Sequence, residues 1–134
     1  MKICVTAAGN TLDAPVDPRV GRAAYFIIVD SETMAFEAVS NMAVGAMSGA
    51  GIQAAQTIAS KGVNVLITGN VGPNAFQALS SAGIKIVVGA YGIVREVIEK
   101  YKRGELKGTG APTDGGHFGR GSGMGMGRGR RRQP

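Results

Sequence analysis

Apolar residues in this chain alternate between short β-branched runs and stripes with helical spacing. The runs at 3–6, 24–29 and 35–40 come first, before any helical stripe, and the third places Phe36 and Ala38 on one side with Glu37 on the other. Strands that follow one another without a helix pair as an antiparallel meander. Ile52, Ala55, Ile58 and Ala59 then recur at helical spacing up to Lys61. The strand predicted over 63–67 enters the turn Gly69 to Gly72, and Pro73 stands at the first helical position, where its missing N–H costs nothing. Phe76, Leu79 and Ala82 continue as a helical stripe. A second unit repeats the plan, with a strand over 84–88, a turn over 89–92, and Val94, Val97, Ile98 and Tyr101 on one helical face. Gly62, Gly83 and Gly104, spaced 21 residues apart, each fall where a helix closes. Strands separated by helices lie parallel with right-handed crossovers. The pattern predicts an α/β domain whose five-stranded mixed sheet joins a meander to two βα units, with flanking helices.

That topology directs function to one end of the sheet. The first, third, fourth and fifth strands run the same way, so the loops 7–22, 41–51, 69–73 and 89–92 gather along one edge, and three of them end at helix N-termini. Helix N-termini offer unpaired N–H groups and partial positive charge, and Arg19 and Arg22 stand nearby, so an anionic ligand is favoured there. In the competing reading the glycines only reverse the chain, and the arginines pair with Asp13 and Asp17.

Composition narrows the setting. With 134 residues and 44% hydrophobic content the chain can bury one core, and its single cysteine, Cys4, excludes an internal disulfide and fits a cytoplasmic location. The apolar run at the N-terminus is too short for a signal peptide, and glycine or polar residues interrupt every apolar run before it reaches the length of a membrane span. The formal charge of +6 divides unevenly: residues 108–134 carry +4, whereas 1–107 carry +2. The expected division is a folded domain over 1–107 and a disordered Gly/Arg-rich tail over 108–134, where 10 of 27 residues are glycine. Glycine–arginine tracts bind single-stranded nucleic acid through phosphate contacts and stacking, which makes nucleic acid a second candidate partner, although Phe118 is the tail's one aromatic residue. Met124 and Met126 are a weak case for a soft metal.

Three segments carry a resemblance. DPRVGRAAYFIIVD at 17–30, SGAGIQAAQ at 48–56 and TGNVGPNAFQAL at 68–79 resemble, in order, the dinitrogenase iron-molybdenum cofactor biosynthesis family, which includes NifX, NifY and the C-terminal domain of NifB. The resemblance covers roughly residues 1–107. It implies a ribonuclease H-like three-layer fold and a binding or carrier role for an iron–sulfur or iron–molybdenum cofactor precursor, received from or passed to a donor or acceptor protein. It also implies that Arg19, Gly21, Arg22, Ser48, Gly49, Gly51, Gly69, Asn70, Gly72 and Asn74 line the ligand cleft. Val20 stands where the family often has phenylalanine. Clusters prefer thiolate and imidazole ligands, yet the chain has only Cys4, read as a core residue, and His117, in the tail. A cluster's charge must then be met by backbone N–H groups and arginines, which implies transferable binding. Catalysis is not predicted: residues 2–6 hold no carboxylate for a two-metal site, the 69–74 turn has no phosphate-loop lysine, and no Ser-His-Asp set exists.

Overall fold

The structure, a computed structural model, describes residues 1–46 and 48–113. Its element order is β1 (Lys2–Ala7), β2 (Tyr25–Asp30), β3 (Phe36–Ser40), α1 (Ala50–Ser60), β4 (Val65–Ile67), α2 (Pro73–Ser81), β5 (Lys85–Val87) and α3 (Val94–Lys102). The five strands form one mixed sheet in the order β3-β2-β1-β4-β5. β1 pairs antiparallel with β2 and parallel with β4, and β4 pairs parallel with β5, so the meander and the two βα units share β1 as their seam.

Alternation along β1 divides the core into two layers. Cys4 joins Phe26, Ile28, Leu66 and Ile86 beneath Ala54, Ile58 and Leu79 of α1 and α2. Ile3, Val5 and Ala7 face the other way, with Ile27, Val29, Ile67 and Val87, beneath Val94, Val97 and Ile98 of α3. Helices therefore cover both faces of the sheet in three layers. Gly62, Gly83 and Gly104 follow the three helices with φ of 71°, 78° and 77°, the left-handed conformation that only glycine adopts without strain.

Three expectations change. Helix α1 begins at Ala50, ahead of Ile52, because Gly49, in a left-handed conformation (φ 73°), starts it within the small-residue segment. In β3 the inward-facing apolar residue is Val39, packed on the α1/α2 layer, while Phe36 remains 44% exposed at the sheet edge. Glu37, on the same side as Val39, forms an ion pair with Lys61 just past α1, at 3.0 Å. The third concerns the segment just after Lys107. Residues 108–113, expected to open the tail, run beside β5: Gly108 bridges Val87, the Thr109 N–H donates to the Ile86 carbonyl (2.9 Å being typical, here 2.8 Å), and Thr113 reaches Val71. The exposed edge of β5 offers backbone groups that composition alone does not reveal. The remainder of the tail, with His117, Phe118, Met124 and Met126, lies outside the described residues.

Candidate functional site

Three backbone segments meet at the carboxyl ends of the parallel strands. The loop after β1 is fixed from below: Thr6 Oγ1, fully buried, lies 2.6 Å from the Asp17 carbonyl oxygen and 2.8 Å from Thr68 Oγ1. These hydroxyls, at the ends of neighbouring strands β1 and β4, hold the Asp17–Pro18 backbone over the sheet. Buried Asn41 donates from Nδ2 to the Gly21 and Ala23 carbonyls at 3.1 and 2.8 Å, tying the same loop to the end of β3. The Asn70 N–H donates to the Pro18 carbonyl at 2.8 Å, which joins the loop to the β4–α2 turn.

Missing side chains let these segments approach. A Cβ on Gly21 would stand 2.9 Å from the Gly51 nitrogen in the first turn of α1, and one on Gly51 would stand 3.3 Å from the Ala75 Cβ in α2. The N-termini of α1 and α2 are thereby drawn together beside the arginine loop. A cleft of about 330 Å³ opens between them, lined by Arg19 to Arg22, Ser48 to Gly51, Asn70 and Gly72 to Ala75. That volume lies at the lower end of the range for small-ligand sites.

Nine of the ten expected residues line this cleft. The exception is Gly69: a Cβ there would lie 2.7 Å from the Pro18 Cβ, so this glycine serves packing of the arginine loop on the turn. Val20, Ala50 and Pro73, between the expected positions, and Ala75, just after them, also line the cleft, and Val20 is buried in the α1/α2 layer. The supports Thr6, Asn41 and Thr68 were not expected; their only local signal is polarity at the end of an apolar strand.

The electrostatics differ from helix to helix. Neither α1 nor α2 has a side-chain cap or an acidic residue in its first turn. Their positive ends are therefore uncompensated by their own residues. The third dipole end expected at this edge is used elsewhere. Helix α3 packs on the opposite face, where its Val94 and Arg95 N–H groups donate to the Ala14 and Leu12 carbonyls at 3.0 and 2.8 Å, and Glu96 occupies its first turn. Two N-termini, not three, face the cleft.

The arginines are partly engaged. Arg19 Nε lies 3.3 Å from Asp17 Oδ1, but the Arg19 side chain remains 61% exposed. Asp13 pairs with Arg95, at 3.1 Å. Arg22 donates from one guanidinium nitrogen to the Val44 and Ala46 carbonyls at 2.9 and 2.8 Å, so it fastens the turn that leads toward Ser48 as well as lining the cleft. A guanidinium has five N–H donors, and among the described residues no bond engages those on its other nitrogens.

A metal ion would find few ligands here. Among the described residues, no three His, Cys, Asp or Glu side chains come together. Cys4 is fully buried in the sheet, and burial pushes its thiol far above the ordinary range, so it supplies no thiolate to the cleft. The donors are backbone N–H groups, two guanidinium groups and the polar side chains of Ser48, Asn70 and Asn74. That set suits an anion held by hydrogen bonds and charge.

Fold and cleft together define a small α/β protein with a crevice at the ends of its parallel strands. The chain belongs to the family described as dinitrogenase iron-molybdenum cofactor, whose model matches residues 1–104. Among solved structures it is similar to the apo form of the orange protein from Desulfovibrio gigas, with 48% identity, coverage of 84% of this chain and 96% of that one, and a TM-score of 0.82. It is also similar to a Thermotoga protein provisionally assigned as NifB, at 37% identity, covering 80% and 91% of the two chains, with a TM-score of 0.71. An uncharacterized protein of Methanocaldococcus jannaschii is 32% identical over 110 residues, covering 80% of this chain and 90% of that one.

Proposed function

We propose that this protein binds and carries an anionic metallocluster, an iron–sulfur or iron–molybdenum cofactor precursor, as cargo in the cleft between α1 and α2, and performs no chemistry on it. The observation that carries this reading is the convergence of two helix N-termini without caps or first-turn acids on a cleft that Arg19 and Arg22 also line. Membership in the cofactor family supports the choice of a metal–sulfide anion over other anions. The same three layers fit a ribonuclease H-like fold.

Each segment has a distinct task in this reading. Gly49 and Gly72 present helix backbone to the ligand, Asn70 and Asn74 offer amide donors, and the arginines neutralise charge. Because no thiolate lines the cleft, the cargo is held without covalent ligation and can pass intact to an acceptor protein. A cytoplasmic setting suits this exchange, and no described helix is long and apolar enough to cross a membrane.

Anaerobic purification followed by metal and sulfide analysis and an absorption spectrum tests the proposal. Protein isolated from cells that assemble such clusters should carry molybdenum or iron with sulfide, and raised salt should release it. A colourless, metal-free protein that also takes up no added cluster would overturn it.

A further inference from the structure

One residue that holds the cleft turn comes from far along the chain. Val71 lies between two cleft-lining residues, Asn70 and Gly72, and is buried to 1% exposure in the α1/α2 layer. Its N–H donates to Thr113 Oγ1 at 3.0 Å, and its carbonyl accepts the Thr113 N–H at 2.9 Å. Thr113 thus partners both backbone polar groups of a buried residue 42 positions earlier. Without Thr113 these groups would need water or strained alternatives.

The segment that delivers Thr113 is weakly held elsewhere. Residues 108–113 are mostly exposed, and their other backbone attachments are the bridge of Gly108 to Val87 and the Thr109 N–H bond to the Ile86 carbonyl at 2.8 Å. The segment also lies beyond residue 104, where the match to the family model ends. Few buried contacts and exposed hydrogen bonds mark a unit that opens separately from the core.

We infer that residues 108–113 form a latch on the ligand turn, with Thr113 as a positioning residue that sets the geometry of Asn70 and Gly72 and thereby controls how long the cleft holds its anion. The latch's part in retention rests on the carrier reading above, whereas its mechanical part does not. Docked, the latch fixes the 69–72 turn against the arginine loop. Opened, it leaves that turn on its bonds to Pro18 and Gly89 and weakens one wall of the cleft. Bound anion and docked latch stabilise each other, because each favours the same turn conformation.

The experiment compares the full-length parent with Thr113→Val and Thr113→Ser, using amide hydrogen exchange and release of tetrathiomolybdate, a coloured molybdenum–sulfide anion. Valine removes the Oγ1 acceptor, and serine retains it. In the parent, Thr109 and Thr113 amides should exchange together and faster than core amides such as Leu66. Thr113→Val should speed exchange at Thr109, whose own bond is chemically untouched, roughly five-fold, as expected for losing one hydrogen bond in a shared opening. It should speed thiomolybdate release by a similar factor, keep Leu66 exchanging more slowly than Thr109, and be rescued by Thr113→Ser. Unchanged exchange at Thr109 would overturn the latch. Faster exchange with unaltered release would overturn its part in retention. A parent that takes up no thiomolybdate would overturn the carrier reading and the retention role together, while the Thr109 result would still decide the latch.

Discussion

Cys4 and Asp30 show how position in the sheet decides what a reactive side chain does. Cys4 sits in the central strand with no exposed surface, and its raised pKa follows from desolvation of the thiolate. A thiol reagent should therefore modify the native protein only as fast as it unfolds, and addition of denaturant should make labelling rapid. Labelling of the fully native protein at the rate of a free thiol would contradict this placement. Asp30 ends β2, where its carboxylate accepts the Glu32 N–H at 2.8 Å and the Thr33 N–H at 3.4 Å. Those bonds favour the charged form and lower its pKa from the ordinary 3.8. The sign follows: the stabilisation is complete above the unfolded carboxylate value and disappears as pH falls through the lower folded value. Asp30→Asn should flatten the acid end of the stability curve below about pH 4. A curve parallel to the parent's over that range would remove Asp30 from the acid response.

Arg22 belongs to the same scale, and its role was only half legible in the chain. Its nearness to the glycine segments marks it as a cleft residue, and it does line the cleft. Its bonds to the Val44 and Ala46 carbonyls depend on how the loops after β1 and β3 fall together in space. No local pattern encodes that. Arg22→Ala should thus cost stability, on the order of 1 kcal/mol for two exposed hydrogen bonds to a charged donor. A urea midpoint equal to the parent's would show that the turn holds without it.

At the level of elements, glycine does the work of bringing α1 and α2 together. Gly21→Ala would place a methyl group 2.9 Å from the Gly51 nitrogen, against helix backbone that cannot move aside cheaply. Overpacking of this kind costs roughly 1–3 kcal/mol, so thermal unfolding should show a clear fall in the midpoint. Gly49→Ala should also destabilise, because it forces an alanine into a left-handed conformation. The strands and helices were readable from periodicity, and the three closing glycines from their spacing, because those signals are local. The docking of residues 108–113 on β5 was not readable, since a glycine- and proline-containing segment offers no apolar pattern and gains its order from a neighbouring strand edge. Its contribution can be measured by truncation. A chain ending at Lys107 should melt several degrees below one ending at Thr113, as expected when a few hydrogen bonds are removed from a domain of about 100 residues. Equal midpoints would show that the segment adds nothing to the fold.

Across the whole molecule, the two faces of the sheet have different tasks. Helix α3 has its N–H groups met by the loop after β1, carries Glu96 in its first turn and Lys100 and Lys102 in its last, and so compensates its own dipole. The opposite layer leaves two N-termini beside the cleft without such compensation, next to Arg19 and Arg22. The edge on which these groups gather was legible from strand order. The helices that share it became clear only when the core was divided between two faces. Gly72 gives direct access to this asymmetry. Its φ of −79° and ψ of 168° suit any residue and match what Pro73 requires of the position before it, so the backbone there needs no glycine. The measurement is a titration of Gly72→Val and the parent with tetrathiomolybdate, alongside their thermal midpoints. The parent should take up the anion saturably and lose it as salt is raised, while Gly72→Val should remain folded and bind at least roughly ten-fold more weakly, as expected when a blocked approach removes a charge-assisted contact. A folded Gly72→Val that binds as the parent does would contradict the account, because the anion would then lie somewhere other than between the two helix N-termini.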